Sequence, residues 1–288
     1  ANSASGNTAV GHQALKANTT GAGNVSLGKN SLLVNTTGNY NVALGQNTLD
    51  ANTTASNNTA VGHDALSANT TGSENTAVGK EALAANTTGT NNSVLGVTAL
   101  LANTTGSHNT SVGQSSLKAN TTGSNNTAVG RVALYANTTA NDNTAVGYYA
   151  LTANTTATAN VGVGCSALGA ITTGGNNTAV GWHAGKSATT SSQNTYMGYR
   201  AGRDANASDV TYIGYDSGLH ATGSSNTAVG HRTLDASSCS GSYNTAIGRE
   251  CLGALTTGAN NTTLGYFAGH DITTGSQNTA LGYNSLAS

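Results

Sequence analysis

The stretch of sequence from residue 75 to residue 91 reads NTAVGKEALAANTTGTN. It combines a short β-prone segment that ends in glycine, an Ala-Leu pair and an Asn-Thr-Thr-Gly motif. Nearly the same order of residues occurs in the segment before it, 58–74, and in the segment after it, 92–108. A fixed internal period is typical of repeat proteins, in which each unit buries its apolar side chains against its neighbours. The sequence therefore predicts a stack of coils, each of about 17 residues.

The glycine of this motif has a counterpart in every repeat. The spacing between these glycines is constant except in the second half of the chain, where two steps are shorter by one and a third is longer by one. Apolar residues do not recur at helical spacing, and Gly, Thr and Asn are poor helix formers. We therefore expect an all-β protein, in which one parallel β-solenoid (β-roll) domain of about 17 coils covers residues 1–288. The coil-marking glycines are Gly11, Gly28, Gly45, Gly62, Gly79, Gly96, Gly113, Gly130, Gly147, Gly164, Gly181, Gly198, Gly214, Gly230, Gly248, Gly265 and Gly282.

The residues on either side of this glycine indicate where the core lies. An aliphatic residue precedes it, and Thr or another β-branched residue stands two positions earlier in most coils. This period of two predicts a short strand whose aliphatic side chain points inward, while the small central residue points to the opposite face. A Leu four residues after the glycine predicts a second inward position, on a second strand. The expected core residues are Val10, Leu15, Leu27, Leu32, Leu44, Leu49, Val61 and Leu66.

Asparagine recurs four residues before the glycine in every coil but one, where Val210 takes its place. Stacked coils would place these amides in a ladder, each hydrogen-bonded to the next at roughly 4.8 Å spacing. The Asn-Thr-Thr-Gly motif is interpreted as a turn, because Asn and Gly tolerate left-handed backbone angles. The predicted ladder includes Asn7, Asn24, Asn41, Asn58, Asn75, Asn92, Asn109, Asn126 and Asn143.

The core of each coil is thin, since about two sizeable aliphatic side chains must offset the ordering of a whole coil. Packing of several chains together would add burial. The row of small central residues is an outward surface suited to such packing, so we expect self-association as a homotrimer. Relief of crowding at a tight edge is the alternative explanation of this row, which includes Ala9, Ala43, Ala60, Ala77, Ala128 and Ala145.

The segments 7–11 (NTAVG) and 244–248 (NTAIG) resemble the Ser-Val-Ala-Ile-Gly motif in the head domains of trimeric autotransporter adhesins. Those heads are trimers of left-handed parallel β-rolls, so the resemblance implies a left-handed, trimeric arrangement here. The present coils are longer, with Asn-Thr-Thr-Gly as the addition. The full unit is also similar to repeats in bacterial and phage proteins of the tail-fibre type. The resemblance implies attachment or display at an extracellular location, on a cell surface or a virion surface.

The two residues after each glycine vary most from coil to coil, and many of them are aromatic. At one corner of each coil they would form a solvent-facing stripe, whose rings could stack on the sugars of a cell-surface glycan or contact another surface receptor. A solvated or inter-chain corner is the plainer interpretation. The candidate stripe consists of Tyr148, Tyr149, Trp182, His183, Tyr199, Arg200, Tyr215, Tyr266 and Phe267.

Composition argues against several classes of function. Charged residues make up 7% of the chain and the net charge is −1, so no basic surface for nucleic acid is expected. The apolar runs are too short for membrane insertion. The histidines and cysteines share no ligand spacing and no nucleophile motif occurs, so we expect no metal, no cofactor and no enzymatic activity. The sequence leaves open whether Cys239 and Cys251 form a disulfide.

Three functions fit this description. The preferred one is a structural extracellular protein of the fibre or adhesin type, which forms a stiff rod for surface attachment or display. An alternative is a filament subunit that polymerises end to end through uncapped coils, since open strand edges template further pairing. A second alternative is ice binding on regular Thr rows, although adjacent Thr residues point to opposite faces and would give only one outward row.

Overall fold

The computed structural model describes residues 4–287, in two units that span Ala1–Asn143 and Thr144–Ser288. Every coil contributes one strand of three residues that ends directly before the glycine, and in most coils these are a β-branched, a small and an aliphatic residue. The strands of the first unit are β1 (Thr8–Val10), β2 (Val25–Leu27), β3 (Val42–Leu44), β4 (Thr59–Val61), β5 (Thr76–Val78), β6 (Ser93–Leu95), β7 (Thr110–Val112) and β8 (Thr127–Val129).

The second unit repeats this design. Its strands are β9 (Thr144–Val146), β10 (Val161–Val163), β11 (Thr178–Val180), β12 (Thr195–Met197), β13 (Thr211–Ile213), β14 (Thr227–Val229), β15 (Thr245–Ile247), β16 (Thr262–Leu264) and β17 (Thr279–Leu281).

Within each unit, every strand pairs in parallel with the strand of the next coil. The register joins equal repeat positions, as in the pairing of Thr59 with Thr76. It is kept where the coil length changes, because Thr227 still pairs with Thr245. The structure thus confirms the all-β parallel β-solenoid with its 17-residue repeat, and no helix occurs among residues 4–287. Handedness, the trimer and the single domain over residues 1–288 stay predictions.

The strands face the opposite way from the one expected. The small central residue points inward: Ala43 and Ala60, for example, are fully buried. The predicted core residues Val10 and Leu27 are instead 56% and 50% exposed. Leu44 and Val61 are also partly exposed. The prediction was wrong because a period of two shows which residues share a face, but not which face is inward.

This inversion also removes the surface on which the trimer was expected to pack. The row of small residues is interior, and Ala77, Ala128 and Ala145 are fully buried. A narrow coil accommodates a methyl group at this position, while the larger Val and Leu side chains of the strand point outward.

The leucine four residues after the glycine is inward as predicted, but it does not lie on a second strand. Leu32, Leu49 and Leu66 are fully buried, and Leu15 in the first coil is half-buried. These leucines occupy a turn, where Leu49 has a left-handed φ of 51°. Left-handed backbone lets the chain reverse sharply while the side chain still fills the interior.

The marking glycine is required by its backbone angle and by a close approach between coils. Gly79 has a φ of 135°, a region that side chains disfavour. A Cβ atom added there would lie 2.5 Å from the carbonyl oxygen of Gly96 in the next coil. The glycines therefore form a column in which no side chain fits.

The predicted asparagine ladder is present. The Nδ2 atom of Asn92 donates to Oδ1 of Asn75 at 3.0 Å and to the carbonyl oxygen of Gly106 at 3.0 Å. The backbone amide of Asn92 donates to the same Oδ1 atom of Asn75, at 3.0 Å. Equivalent bonds run from Asn7 to Asn143 in the first unit.

A second asparagine ladder was not predicted. It is formed by the Asn of the Asn-Thr-Thr-Gly motif, which was interpreted as a turn residue. The Nδ2 atom of Asn86 donates to Oδ1 of Asn69 at 2.8 Å and to the carbonyl oxygen of Gly89 at 3.0 Å. All three residues are buried, so the motif serves as a buried polar column of the first unit.

In part of the second unit, the central strand position holds a large residue and the position four residues after the glycine holds a small one, the reverse of the first unit. Tyr196 and Tyr212 replace the small central strand residue and are fully buried. Glycine replaces the interior leucine in these two coils and in the coil before them. A Cβ atom at Gly185 or Gly202 would lie 2.6 Å or 2.3 Å from the ring of Tyr196, and one at Gly218 would lie 2.4 Å from Tyr212. The rings therefore occupy the space that the leucines fill elsewhere.

Candidate ligand-binding surfaces

The residue directly after the marking glycine lies at an exposed corner of the coil. In the second unit this position is aromatic in most coils, and we call the set the aromatic column. Tyr148, Trp182, Tyr199, Tyr215 and Tyr266 are between 40% and 48% exposed. The predicted stripe is therefore at the surface, as expected for this corner.

Four rings of the aromatic column form one continuous stack. The ring centroids of Trp182 and Tyr199 are 4.8 Å apart, those of Tyr199 and Tyr215 are 5.0 Å apart, and those of Tyr215 and His231 are 5.1 Å apart. The interplanar angles are 10°, 10° and 8°. The rings cover each other's faces and present their edges to solvent. Sugar stacking on these covered faces, which the sequence suggested, is therefore not available within the stack.

The residue one position later in the coil is half-buried and holds the stack in place. Arg200 forms a bidentate ion pair with Asp216, in which its Nε atom donates to Oδ1 at 2.7 Å. Its guanidinium lies 5.2 Å from the ring centroid of Tyr199 and 5.9 Å from that of Tyr215. The hydrogen bonds from Arg200 to Asp216 keep the pKa of the arginine above its ordinary value. His183 lies 3.4 Å from Trp182, centroid to centroid, and burial lowers its pKa.

The remaining stripe residues form their own clusters. Tyr148 and Tyr149 meet edge to face at 4.3 Å. Tyr149 also lines a small depression of about 300 Å³, together with Lys186 and other residues. Tyr266 meets Phe267 edge to face at 4.5 Å. It also stacks on Tyr283 at 5.5 Å. Sequence reasoning missed Tyr283 and His231, although both follow a marking glycine.

A polar groove of about 720 Å³ lies at the C-terminal end of the stack, where Tyr215 and His231 line it. We call it the groove. Sequence reasoning gave no sign of it. Asp216 and Asp235 are largely buried in its floor, each paired with an arginine. The Nε atom of Arg232 donates to Oδ2 of Asp235 at 2.8 Å, and Arg232 is 54% exposed. Burial raises the pKa of Asp235, and its bond from Arg232 opposes that shift. His220 also lines the groove and pairs with Asp204 at 3.1 Å.

The groove forms where the repeat is irregular. The coils that end at Gly214 and Gly230 are one residue shorter than the others, and the coil that ends at Gly248 is one residue longer. In this longest coil, the Asn-Thr-Thr-Gly motif is replaced by a segment that includes the exposed Ser237. Ser237 and Ala236 line one side of the groove.

A second surface runs along the strand face. The third residue of every strand is aliphatic and points outward, and we call this set the aliphatic row. Leu95 is 52% exposed, and Met197 and Leu264 in the second unit are similarly exposed. Other members, such as Val61 and Val78, are half-buried. A continuous row of partly exposed aliphatic side chains marks a surface for association.

Among residues 4–287, no group of three or more metal-ligating side chains occurs, and no helix has the length and hydrophobicity of a membrane span. Cys165, Cys239 and Cys251 are free thiols, so the disulfide left open by the sequence does not form. Burial raises the pKa of Cys239 to about 11, which keeps this thiol protonated and unreactive near neutral pH.

No family model matches the sequence, and no curated protein is significantly similar to it.

Proposed function

We propose that the protein is a structural extracellular fibre element of the adhesin or tail-fibre type, which self-associates through its strand face to form a stiff rod. The aliphatic row carries this proposal. Each coil contributes one outward aliphatic side chain, beside an outward Thr or Val in every coil except that of Ser93, so the row extends along each unit. An aliphatic row of this length is suited to association with another surface.

The partner that fits the aliphatic row best is another copy of the same chain. Parallel strands stack at roughly 4.8 Å, so the row repeats at that spacing. A second copy presents side chains of the same kind at the same spacing, whereas an unrelated protein would match only a few coils. Covering half-exposed Val or Leu side chains stabilises an assembly by about 1 kcal/mol per coil.

We propose three copies around a common axis, as the resemblance to trimeric adhesin heads implies. The interface differs from the one expected from the sequence, because it uses the aliphatic row rather than the buried alanines. The low charge of 7% leaves few ionic groups that would oppose close contact between copies. The exposed corners of such an assembly would carry the aromatic column, facing a surface receptor.

The proposal is tested by measuring the mass of the assembly with sedimentation velocity and native mass spectrometry. Wild type should be a trimer. The double variant Leu27→Lys, Leu95→Lys should be a monomer, because two buried charges would outweigh the aliphatic contacts. Tyr40→Lys is the matched control, since Tyr40 is 67% exposed and lies off the strand face.

Each result has a definite meaning. A monomeric wild type would contradict the proposal, and so would a trimer unaffected by the lysines in the aliphatic row. Polymers without a fixed mass, seen as continuous filaments by electron microscopy, would favour the end-to-end filament subunit instead.

Ice binding is a second candidate, and the strand face favours it more than the sequence did. The first and third residues of each strand both point outward, so Thr59 and Thr76 form a row beside the aliphatic row. Two parallel rows on a flat sheet are suited to ordering water. A thermal hysteresis assay on wild type and on Thr76→Lys decides: absence of ice shaping by wild type rejects this candidate.

A further inference from the structure

The groove beside the aromatic stack is lined by residues that differ from those of the regular repeat. Its lining comes from four successive coils, from Arg200 through Tyr215 and Arg232 to Gly253. Regular coils of the first unit carry small or neutral residues at many of the equivalent positions, and the groove replaces them with ionic and aromatic side chains. Its length along the stacking direction suits an elongated ligand.

The charges of the groove are balanced and held in place. Arg200 with Asp216 and Arg232 with Asp235 form two neutral pairs within it. The side chains of Asp216 and Asp235 are only 7% and 10% exposed, whereas Arg232 is 54% exposed. The floor therefore offers fixed acceptors, and the rim offers donors that solvent reaches. A paired lining of this kind has no excess charge to attract a free anion.

The chemistry that these groups recognise is that of hydroxyl groups on a chain. Arg and Asp pairs in fixed geometry can donate to and accept from neighbouring hydroxyls at once. The edges of Tyr215 and His231 add further polar groups at the coil spacing. Sugar rings of an extended glycan follow one another at a spacing close to that of stacked coils. An extended sugar chain could therefore meet the same groups in successive coils.

We propose that the groove binds an extended neutral oligosaccharide, whose hydroxyls contact Arg232, His231 and Asp235 while the edge of Tyr215 forms the adjoining wall. This proposal rests on the proposed function, because it gives the surface protein a ligand class and a location. The sequence suggested that sugars stack on open aromatic faces, whereas this proposal has them bound by hydrogen bonds in a groove.

The test uses the full chain and linear hexasaccharides of glucose, of N-acetylglucosamine and of glucuronic acid as probes, titrated by isothermal calorimetry. At least one of the two neutral probes should bind. Arg232→Ala should weaken that binding by about tenfold to a hundredfold, as expected for loss of hydrogen bonds from a charged donor. Ser237→Trp, at an exposed position on the rim, should block the groove without disturbing the interior.

Arg249→Ala is the matched control. Arg249 is 56% exposed and pairs with Glu250, as Arg232 pairs with Asp235, but it lies one coil further on and does not line the groove. The control should bind like wild type. Circular dichroism confirms that each variant keeps its fold.

Three outcomes would overturn the proposal: no binding of either neutral probe, binding of the glucuronic acid probe alone, or equal weakening by Arg232→Ala and Arg249→Ala. Sedimentation velocity on the same samples separates this proposal from the proposed function. A trimer that binds no oligosaccharide refutes the groove alone, whereas a monomer that binds one refutes the assembly alone.

Discussion

The two units fill the same corner of the coil in different ways. In the first unit the corner holds the second asparagine ladder, in which Asn69, Asn86 and Asn103 are buried and linked by hydrogen bonds. From residue 171 onward the second unit has apolar side chains there. The apolar residues at this corner, all fully buried, are Ile171, Ala188, Ala205, Ala221, Cys239 and Leu255.

This difference shows what a polar column adds. An amide ladder requires each coil to place its Asn within hydrogen-bonding distance of the one before. The first ladder still crosses the longest coil, where Nδ2 of Asn244 donates to Oδ1 of Asn226 at 3.2 Å, so a ladder constrains the corner at which it lies rather than the whole coil. All three changes in coil length fall in the second unit, after the ladder has given way to apolar residues. Apolar contacts are non-directional and tolerate such shifts. The groove lies in the part of the second unit where this corner has apolar residues instead of the second ladder.

The largest effect is expected from breaking the Tyr–Gly exchange that distinguishes the second unit. Tyr196→Ala should lower the free energy of unfolding by about 4 kcal/mol, because it leaves a cavity. Gly185→Leu should lower it by about 3 kcal/mol, because the new side chain meets the Tyr196 ring. Chemical unfolding followed by the fluorescence of Trp182 measures both.

The double variant Tyr196→Ala, Gly185→Leu restores the small strand residue of one coil and the interior leucine of the coil before it, as in the first unit. It should be more stable than the sum of the single effects by about 1 to 2 kcal/mol, since the leucine then enters the space of the ring. Strictly additive losses would show that the two positions do not share this volume.

A smaller effect is expected when an Asn of the second asparagine ladder is replaced by an apolar residue that the second unit has at the same repeat position. Asn86→Ile introduces the residue found at position 171. It should lower the free energy of unfolding by about 2 to 3 kcal/mol, because Asn103 loses an acceptor and Asn69 loses a donor inside the protein. Thermal unfolding monitored by circular dichroism measures this loss.

The control for this change is Ile171→Val, which keeps the apolar character of the second unit and should lower stability by about 1 kcal/mol. If Asn86→Ile is no worse than Ile171→Val, the second asparagine ladder does not stabilise the first unit.

The smallest effect concerns two aspartates at the same repeat position, five residues after the marking glycine. Burial raises the pKa of Asp50 and of Asp235, but only Asp235 has an arginine hydrogen-bonded to it. The charged form of Asp50 is therefore disfavoured in the folded state. Asp50→Asn should raise the free energy of unfolding by about 1 kcal/mol at pH 7.

The pH dependence follows from the direction of the shift. Wild type should lose the contribution of protonated Asp50 as the pH rises from its ordinary pKa of 3.8 through the raised folded value. Asp50→Asn should therefore match wild type at pH 3 and exceed it at pH 7. Asp235→Asn should show a smaller gain, because burial also raises the pKa of Asp235 but the change removes the partner of Arg232. Equal gains in the two variants would mean that the arginine pair adds nothing.

The sequence predicted those features of the fold that repeat strictly. The period, the parallel coils, the first asparagine ladder and the buried Leu32, Leu49 and Leu66 all follow from residues that recur at fixed positions. The inward face of the strand did not follow. Aliphatic residues such as Leu27 suggest burial by their chemistry, but the space inside a coil is limited by the opposing leucines.

The candidate site could be predicted only in part, for a related reason. The aromatic column shares one repeat position, so its exposure and alignment could be inferred. The contact between Arg200 and Asp216 joins two neighbouring coils that are both one residue shorter than the regular repeat. The groove depends on a segment around Ser237 that departs from the repeat. A rule drawn from regular coils contains no information about these residues.

The exchange of Tyr196 with the neighbouring glycines has a consequence for folding. Coils of the first unit are nearly identical, so a strand there could pair with the wrong neighbour, one coil out of step, and keep most of its hydrogen bonds. In the second unit the same slip would set a tyrosine ring against a leucine, with no glycine to receive it. The irregular coils therefore distinguish the repeats from one another. As a result, a chain of nearly identical coils has one alignment that is more stable than the others.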